Sequence, residues 1–155
     1  IDHPHVVSVH NAGELEGRRL AELIELRCAS LIAQVGQIRT RLPEIQVRIR
    51  NRLNERIAEL GATVDRERIE QEVVLQLQRI DVAEELDRLG GHIEETRRVM
   101  GSGEAAGRRL DFLMQELNRE ANTLASKSQD LDTTRITVDM KVLIEQMREQ
   151  VQNVE

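Results

Sequence analysis

Polar residues recur at helical spacing in the second half of the chain, and their types could support cation binding or proton transfer. Four of them, spaced four, three and four residues apart, are Asp81, Glu85, Arg88 and His92. A helix would carry all four on one face. Two carboxylates and an imidazole on such a face can hold a divalent cation or act as general acid and base. The spacing alone favours a plainer interpretation, a series of ion pairs such as Glu84 with Arg88.

A second polar stretch contains a like-charge pair. Glu116 and Glu120 lie four residues apart, an arrangement that is unfavourable by about 0.2–0.5 kcal/mol on an isolated helix. We expect a metal ion, or an arginine from a neighbouring helix or subunit, to compensate it. Asn118 and Asn122 are poor helix-interior residues, so they indicate a ligand face or a buried polar interface. A structural hydrogen-bond network is the alternative.

A run of arginines precedes both stretches. Six arginines and two glutamates lie between Arg39 and Arg56, and Arg48, Arg52 and Arg56 share a helical face. Such a strip could follow a phosphate backbone. Because no aromatic residue is interleaved, any nucleic-acid contact would be electrostatic or shape-based and not base stacking. The usual behaviour of charge runs favours the alternative, a solvated or ion-pairing basic face.

Helices must position these residues, and the first is predicted from about Glu14 to Leu60. Its apolar residues from Ile24 to Ile49 alternate steps of four and three, the heptad spacing of a helix that packs along its length on another. Pro43 removes one backbone donor while the apolar seam stays in phase across it. We expect a kinked helix; a break at Arg41–Leu42 that places Pro43 at the start of a new helix is the alternative.

The second helix is predicted from an N-cap at Asp65 to about Met100. Gly90 and Gly91 lie in its interior, where each glycine costs about 1 kcal/mol. They predict a weak point, a kink or a close approach of another backbone.

Two further helices complete the predicted fold. The third covers about residues 104–125, and the fourth runs from a cap at Thr133 or Thr134 to the end of the chain. Alternating β-branched runs of useful length are absent from the sequence. The expected fold is all-α, a long helical hairpin or bundle of about four helices with a kink at Pro43.

Composition narrows the class of protein. At 155 residues the chain is one domain or two small ones, and its net charge of −6 argues against non-specific coating of nucleic acid while leaving room for a local basic groove. Cys28 is the single cysteine, so no intrachain disulfide framework is expected. Neither a membrane-length apolar run nor a signal peptide is visible. A bacterial cytoplasmic location fits best.

The first twelve residues do not follow the register of the predicted helix. We expect residues 1–12 to be a disordered tail or a remnant of an expression tag. His3, His5 and His10 could suggest a metal site. This is the less favoured interpretation, because no acidic or cysteine partner lies at ligand spacing.

Several long motifs resemble the YicC/YloC family of bacterial endoribonucleases, also described as YicC-like stress-induced proteins. They are IEQEV at 69–73, QRIDVAEELDRL at 78–89, GRRLDFLMQELNREANTLASKS at 107–128 and KVLIEQMREQVQNVE at 141–155. Weaker similarity extends back to about Asn11. Gly90 and Gly91 depart from the larger polar residues that are usual in the family. Family proteins are nearly twice this length, so residues 13–155 are identified as a YicC-like C-terminal helical domain without the N-terminal family domain.

The resemblance implies a metal-assisted endoribonuclease that hydrolyses phosphodiester bonds of structured or small RNA, with Mn²⁺ or Mg²⁺ as cofactor. It also implies a homo-oligomer, expected to be a hexamer in the full-length protein. The polar residues that match the family are Glu72, Arg79, Asp81, Glu84, Glu85, Arg88, His92, Gln115, Glu116, Asn118, Arg119, Glu120, Asn122 and Lys127.

Roles follow from the matched positions as hypotheses. Metal ligands would be Asp81, Glu85, Glu116 and Glu120, and the catalytic residues would be His92, Glu116 and Glu120. RNA would be bound by Arg79, Arg88, Arg119, Asn118, Asn122 and Lys127, together with Arg48 and Arg52 of the arginine strip. The alternative is a helical module for oligomerisation and RNA clamping, with little or no catalysis of its own.

Overall fold

The computed structural model describes the backbone of residues 4–61, 65–102 and 106–154, and the side chains from residue 15 to residue 153 within those ranges. It contains five helices: α1 (Pro4–Glu59), α2 (Arg66–Arg79), α3 (Ala83–Gly101), α4 (Gly107–Lys127) and α5 (Leu131–Val154). No strand occurs in these ranges. The predicted all-α fold is confirmed.

Four of the helices form a bundle around one aliphatic core. α1 packs against α3 and α5, and α4 packs against the same two helices. The core contains the predicted α1 seam from Ile24 to Ile38, and all five apolar residues predicted to face inward from the third helix are buried. Those five residues are Leu110, Leu113, Leu117, Ala121 and Leu124. The heptad spacing therefore correctly predicted which faces are buried.

α2 extends the fold as an arm on α1. It packs against the C-terminal part of α1, and an apolar groove between them is lined by Leu53, Ile57, Ile69 and Val73. Pro43 lies inside α1, which continues through it. The predicted break at this proline is therefore wrong, and the kink stays a prediction.

The first helix begins ten residues before its predicted start. α1 starts at Pro4 instead of near Glu14, and proline suits a first helical position because its missing N–H would have no intrahelical partner there. The side chains of His5 and His10, and the whole of His3, lie outside the described residues.

The predicted second helix is two helices. α2 ends at its C-cap Ile80 and α3 begins at Ala83, whose backbone N–H donates 3.0 Å to Asp81 Oδ1. This Asx-type hydrogen bond satisfies a free amide of the new helix and competes with helix continuation. Gly90 and Gly91 instead lie inside α3, and a Cβ added at either would meet no atom within 4 Å. The predicted close backbone approach is therefore wrong.

The last two helices also differ from their predicted boundaries. α4 ends at Lys127, two residues late, and its predicted start at residue 104 lies outside the described residues. α5 is capped by Asp130, which accepts from the Thr133 backbone N–H at 3.1 Å and from the Thr133 hydroxyl at 3.0 Å. The predicted threonine caps are wrong because Thr133 lies in the first turn of the helix and donates to the true cap, Asp130. Within the described ranges, no helix combines the length and apolarity that a membrane crossing needs.

Candidate metal and phosphate site

The polar faces of α3 and α4 meet along one side of the bundle. The two helices are antiparallel, so residues early in α3 face residues late in α4. Three pairs that face each other are Glu85 with Lys127, Arg88 with Glu120, and His92 with Glu116. The contacts follow each other in opposite order along α3 and α4, as antiparallel packing requires. Together the six side chains form a continuous polar stripe.

At one end of the stripe lies a group that could hold a metal ion. Ligand atoms of His92, Glu116 and Glu120 all lie within 4.8 Å of one another. His92 Nε2 lies 4.0 Å from Glu116 Oε2, and both side chains are about one quarter exposed, whereas Glu120 is buried. The structure therefore brings together the three residues predicted to be catalytic, and gives the group access to solvent.

Arg88 compensates the like-charge pair on α4. Its Nε donates 2.8 Å to Glu120 Oε1, and its Nη atoms lie 3.5 Å from Glu84 Oε2 and 3.8 Å from Glu85 Oε1. The hydrogen bond to Glu120, opposed by partial desolvation and reinforced by the charges of Glu120 and Glu84, raises the pKa of Arg88. One of the two expected compensations, an arginine from a neighbouring helix, is thus present.

Glu85 has a different environment from the one predicted for a metal ligand. Lys127 Nζ donates 2.7 Å to Glu85 Oε1 and 3.3 Å to the Asp81 carbonyl oxygen. Glu85 is only 3% exposed, and its Oε2 is buried without a hydrogen-bond partner among the described residues. Lys127 therefore forms an ion pair with Glu85, whereas the family resemblance assigns it to RNA binding.

Asp81 is likewise separate from the His92 group. Its Oδ1 accepts the Ala83 N–H, and the residue is exposed at the start of α3. Among the described residues, the group with metal-ligand spacing contains neither Asp81 nor Glu85. Asp81 caps the start of α3, and Glu85 pairs with Lys127 of α4, because both lie toward the Lys127 end of the stripe.

The remaining predicted RNA-binding residues lie on exposed surfaces. Asn118, Arg119 and Asn122 are exposed on α4, which favours the ligand-face interpretation over a buried interface. Arg79 is exposed at the end of α2, and Arg52 is exposed on α1.

Arg48 belongs to a second ionic cluster that spacing did not reveal. It lies 3.4 Å from Asp130 Oδ1, while Arg41 Nη2 contacts Asp130 Oδ2 at 3.0 Å and Asp132 Oδ2 at 2.8 Å. Burial alone would raise the pKa of Asp130, but the hydrogen bonds from Thr133 and Arg41 outweigh it and lower that pKa. Arg41 and Arg48, both from the arginine run of α1, therefore form the contact that ties α1 to the start of α5.

The ionic partners of Glu85 and Glu120 were missed from sequence. A usable signal existed for Arg88 and Glu120, opposite charges that each lie about 16 residues from position 104, in the connection between α3 and α4. Such mirror spacing predicts a contact only once the antiparallel packing of the two helices is known.

The fold is an all-α bundle with a histidine–carboxylate group on the polar stripe of α3 and α4. Residues 38–155 match the family described as "Endoribonuclease YicC-like, C-terminal", and the chain belongs to this family. The resemblance seen in the motifs is confirmed.

Two curated relatives are similar over nearly the whole chain. "Probable endoribonuclease YicC" of Haemophilus influenzae (strain ATCC 51907 / DSM 11121 / KW20 / Rd) is 50% identical over 140 residues, which cover 90% of this chain and 49% of the relative. "Probable endoribonuclease YicC" of Clostridioides difficile (strain 630) is 37% identical over 143 residues, again 90% and 49%. The chain therefore spans about half the length of the curated relatives it matches.

Proposed function

We propose that this chain carries the metal-assisted cleavage site of a bacterial cytoplasmic endoribonuclease that hydrolyses structured or small RNA. The observation that carries the proposal is the convergence of His92, Glu116 and Glu120 on the exposed side of the α3–α4 pair. The names of the two relatives support RNA as the substrate class.

The donor set fits a divalent cation. His92, Glu116 and Glu120 would hold it, with an imidazole nitrogen and carboxylate oxygens as ligands. Glu120 Oε1 accepts from Arg88, while Glu120 Oε2 accepts no hydrogen bond from the described residues. Carboxylates suit Mg²⁺ and Mn²⁺, and the added imidazole favours Mn²⁺ over Mg²⁺.

The charge balance of the stripe is also suitable. Its four carboxylates, from Glu84, Glu85, Glu116 and Glu120, exceed its two permanent cations, Arg88 and Lys127, by two. One divalent ion would offset that excess. When bound, such an ion neutralises charge on the phosphate and acidifies a bound water.

The side chains around the group can bind the RNA for hydrolysis. His92 would serve as a ligand of the cation and not as a general acid or base, because coordination uses the lone pair that proton transfer needs. Arg119 and the amides of Asn118 and Asn122, which are exposed on α4, would bind phosphate and sugar oxygens of the RNA. Arg88, about half exposed, would add charge at the phosphate.

Cleavage of a labelled hairpin RNA by the full-length protein tests the proposal. With Mn²⁺ or Mg²⁺ present, replacing both Glu116→Gln and Glu120→Gln should abolish cleavage, because both carboxylate charges of the ligand group disappear. His92→Ala should lower the cleavage rate, because the cation loses one of its three protein ligands. Omission of the metal should have the effect of the double substitution.

Glu149→Gln provides the matched control, since Glu149 is an exposed carboxylate on α5 and its removal should leave the rate unchanged. Circular dichroism melts of each variant should show a folded protein. Cleavage by a folded Glu116→Gln/Glu120→Gln variant at the wild-type rate would refute the cleavage site.

The alternative function is a homo-oligomeric, RNA-clamping module of a full-length protein, expected to be a hexamer. The α1–α2 arm favours it, since Val74 and Leu75 are about half exposed on the outer side of α2. Sedimentation of the isolated chain without metal distinguishes the two functions. An oligomeric chain whose full-length double variant still cleaves RNA would support the clamp and exclude the cleavage site.

A further inference from the structure

An ion pair between buried Glu85 and partly exposed Lys127 lies beside the candidate metal group. Lys127 Nζ donates 2.7 Å to Glu85 Oε1, and the same oxygen lies 3.8 Å from Arg88 Nη2. Through Nε, Arg88 donates to Glu120 Oε1 at 2.8 Å. The guanidinium therefore lies between two buried carboxylates, of which only Glu120 belongs to the candidate metal ligands.

The burial of Glu85 is costly for the fold. Its Oε2 has no hydrogen-bond partner among the described residues, and an unsatisfied buried polar atom usually costs about 1–3 kcal/mol. An apolar residue would avoid that cost, since replacing buried ion pairs by well-packed apolar groups is often neutral or stabilising. Stability is therefore a weak explanation for a carboxylate at this position.

We propose that Glu85, held by Lys127, is a positioning residue for Arg88 and thereby sets how strongly the His92, Glu116 and Glu120 group binds a divalent cation. The inference rests on the proposed function, because it takes that group as the cation site. Glu85 itself does not touch the ion.

The physical reason is competition for the Arg88 guanidinium. With Glu85 present, Arg88 is attracted to two buried carboxylates and holds Glu120 by one hydrogen bond. Without the Glu85 charge, Glu120 becomes its only buried partner. The guanidinium then neutralises the carboxylate that a cation needs. Outer partners of metal ligands typically change metal affinity by about 10–100-fold.

Binding of Mn²⁺ to the full-length protein without RNA provides the test, with unbound Mn²⁺ measured by electron paramagnetic resonance. The main variant combines Glu85→Gln with Lys127→Met, so one negative and one positive charge are lost and the net charge is unchanged. We expect its Mn²⁺ dissociation constant to rise about 10–100-fold. Lys127→Arg keeps a cation beside Glu85 and should retain most of the affinity.

If thermal melts without metal show that the double variant is unfolded, the Glu85→Gln single variant replaces it in the binding experiment. Its matched control is Glu84→Gln, which removes the same charge from the adjacent residue, also in contact with Arg88 but with a side chain that is 85% exposed. Because water and salt screen exposed charges, Glu84→Gln should weaken Mn²⁺ binding much less than Glu85→Gln. Equal effects of the two substitutions would overturn the positioning role.

The remaining outcomes separate this inference from the proposed function. If the folded double variant binds Mn²⁺ as the wild type does, while Glu120→Gln does not bind, Glu85 is not a positioning residue and the metal site stands. If the wild type fails to bind Mn²⁺, or Glu120→Gln binds it equally well, both the metal site and the positioning role are refuted.

Discussion

At the scale of single residues, the α3–α4 contact depends on charged side chains that each bind more than one partner of opposite charge. Arg88 joins Glu120 of α4 to Glu84 and Glu85 of its own helix. Near the other end of the pair the pattern is inverted, since Glu95 accepts from Arg98 of its own helix and from Arg109 of α4. Shared charges of this kind fix the rotation of one helix against the other.

The Glu95 cluster predicts a pH dependence of stability. Hydrogen bonds from Arg98 and Arg109 lower the pKa of Glu95 from 4.5 to about 2. Because the folded-state pKa lies below the unfolded-state value, Glu95 stabilises the fold fully above about pH 4.5 and loses that contribution as the pH falls toward 2. Glu95→Gln should therefore lower the melting temperature at pH 6, and the difference from the wild type should shrink between pH 4.5 and 2.

Thermal melts of both proteins across this range measure the effect. Glu94→Gln is the control on the same helix, because Glu94 is more exposed and pairs with Arg97 within α3 alone. A melting-temperature difference between Glu95→Gln and wild type that stays constant from pH 6 to pH 2 would contradict the prediction.

At the scale of helices, Asp130 determines where α5 begins and how it meets α1. Its side chain caps the first turn through Thr133 and receives Arg41 and Arg48 from α1. The contact between Arg41 of α1 and Asp130 joins residues that are 89 positions apart in sequence. A local cap signal and a long-range ion pair are thus combined in one carboxylate.

Two substitutions at Asp130 separate these contributions. Asp130→Asn keeps an oxygen that can cap the helix but removes the charge that Arg41 and Arg48 contact. Asp130→Ala removes both functions and should cost about 0.5–2 kcal/mol more, the usual value of an N-cap. Urea denaturation of the two variants and the wild type gives both free energies of unfolding. Equal stabilities of Asp130→Asn and Asp130→Ala would show that the cap contributes nothing.

At the scale of the whole molecule, the net charge of −6 and the exposed arginines would act in opposite directions on the proposed RNA ligand. Overall charge repels a polyanion at long range, while local arginines attract it within a Debye length of about 8–10 Å. RNA binding should therefore depend steeply on salt and on which arginines are exposed.

Arg52 tests the arginine strip without disturbing the Asp130 cluster. Among the described residues it makes no salt bridge, and it is exposed on α1. Arg52→Gln should weaken binding of the full-length protein to unrelated hairpin RNAs by similar factors and reduce the slope of log K against log salt by about one. Filter binding at several salt concentrations measures both quantities. Lys141→Gln, an exposed charge removed from α5, is the control, and equal slopes for all three proteins would exclude Arg52 from the RNA contact.

The sequence by itself determined the helices and their buried faces. Ile24, Leu31 and Ile38 recur at heptad spacing and are buried, because a 3.6-residue helix repeats its faces whatever it packs against. The same periodicity placed His92 beside Glu85 and Arg88 on one face of α3. The helix boundary at Asp81 was missed because it contains neither glycine nor proline, and its Asx-type hydrogen bond interrupts an otherwise helical pattern.

Tertiary structure alone decided which polar residues meet. Glu120 contacts Arg88, and Glu85 contacts Lys127, because α3 and α4 pack antiparallel in one particular register. Periodicity within one helix contains no information about that register. For the same reason, sequence could nominate Glu85 as a metal ligand, but packing gave it a lysine partner and left His92, Glu116 and Glu120 together.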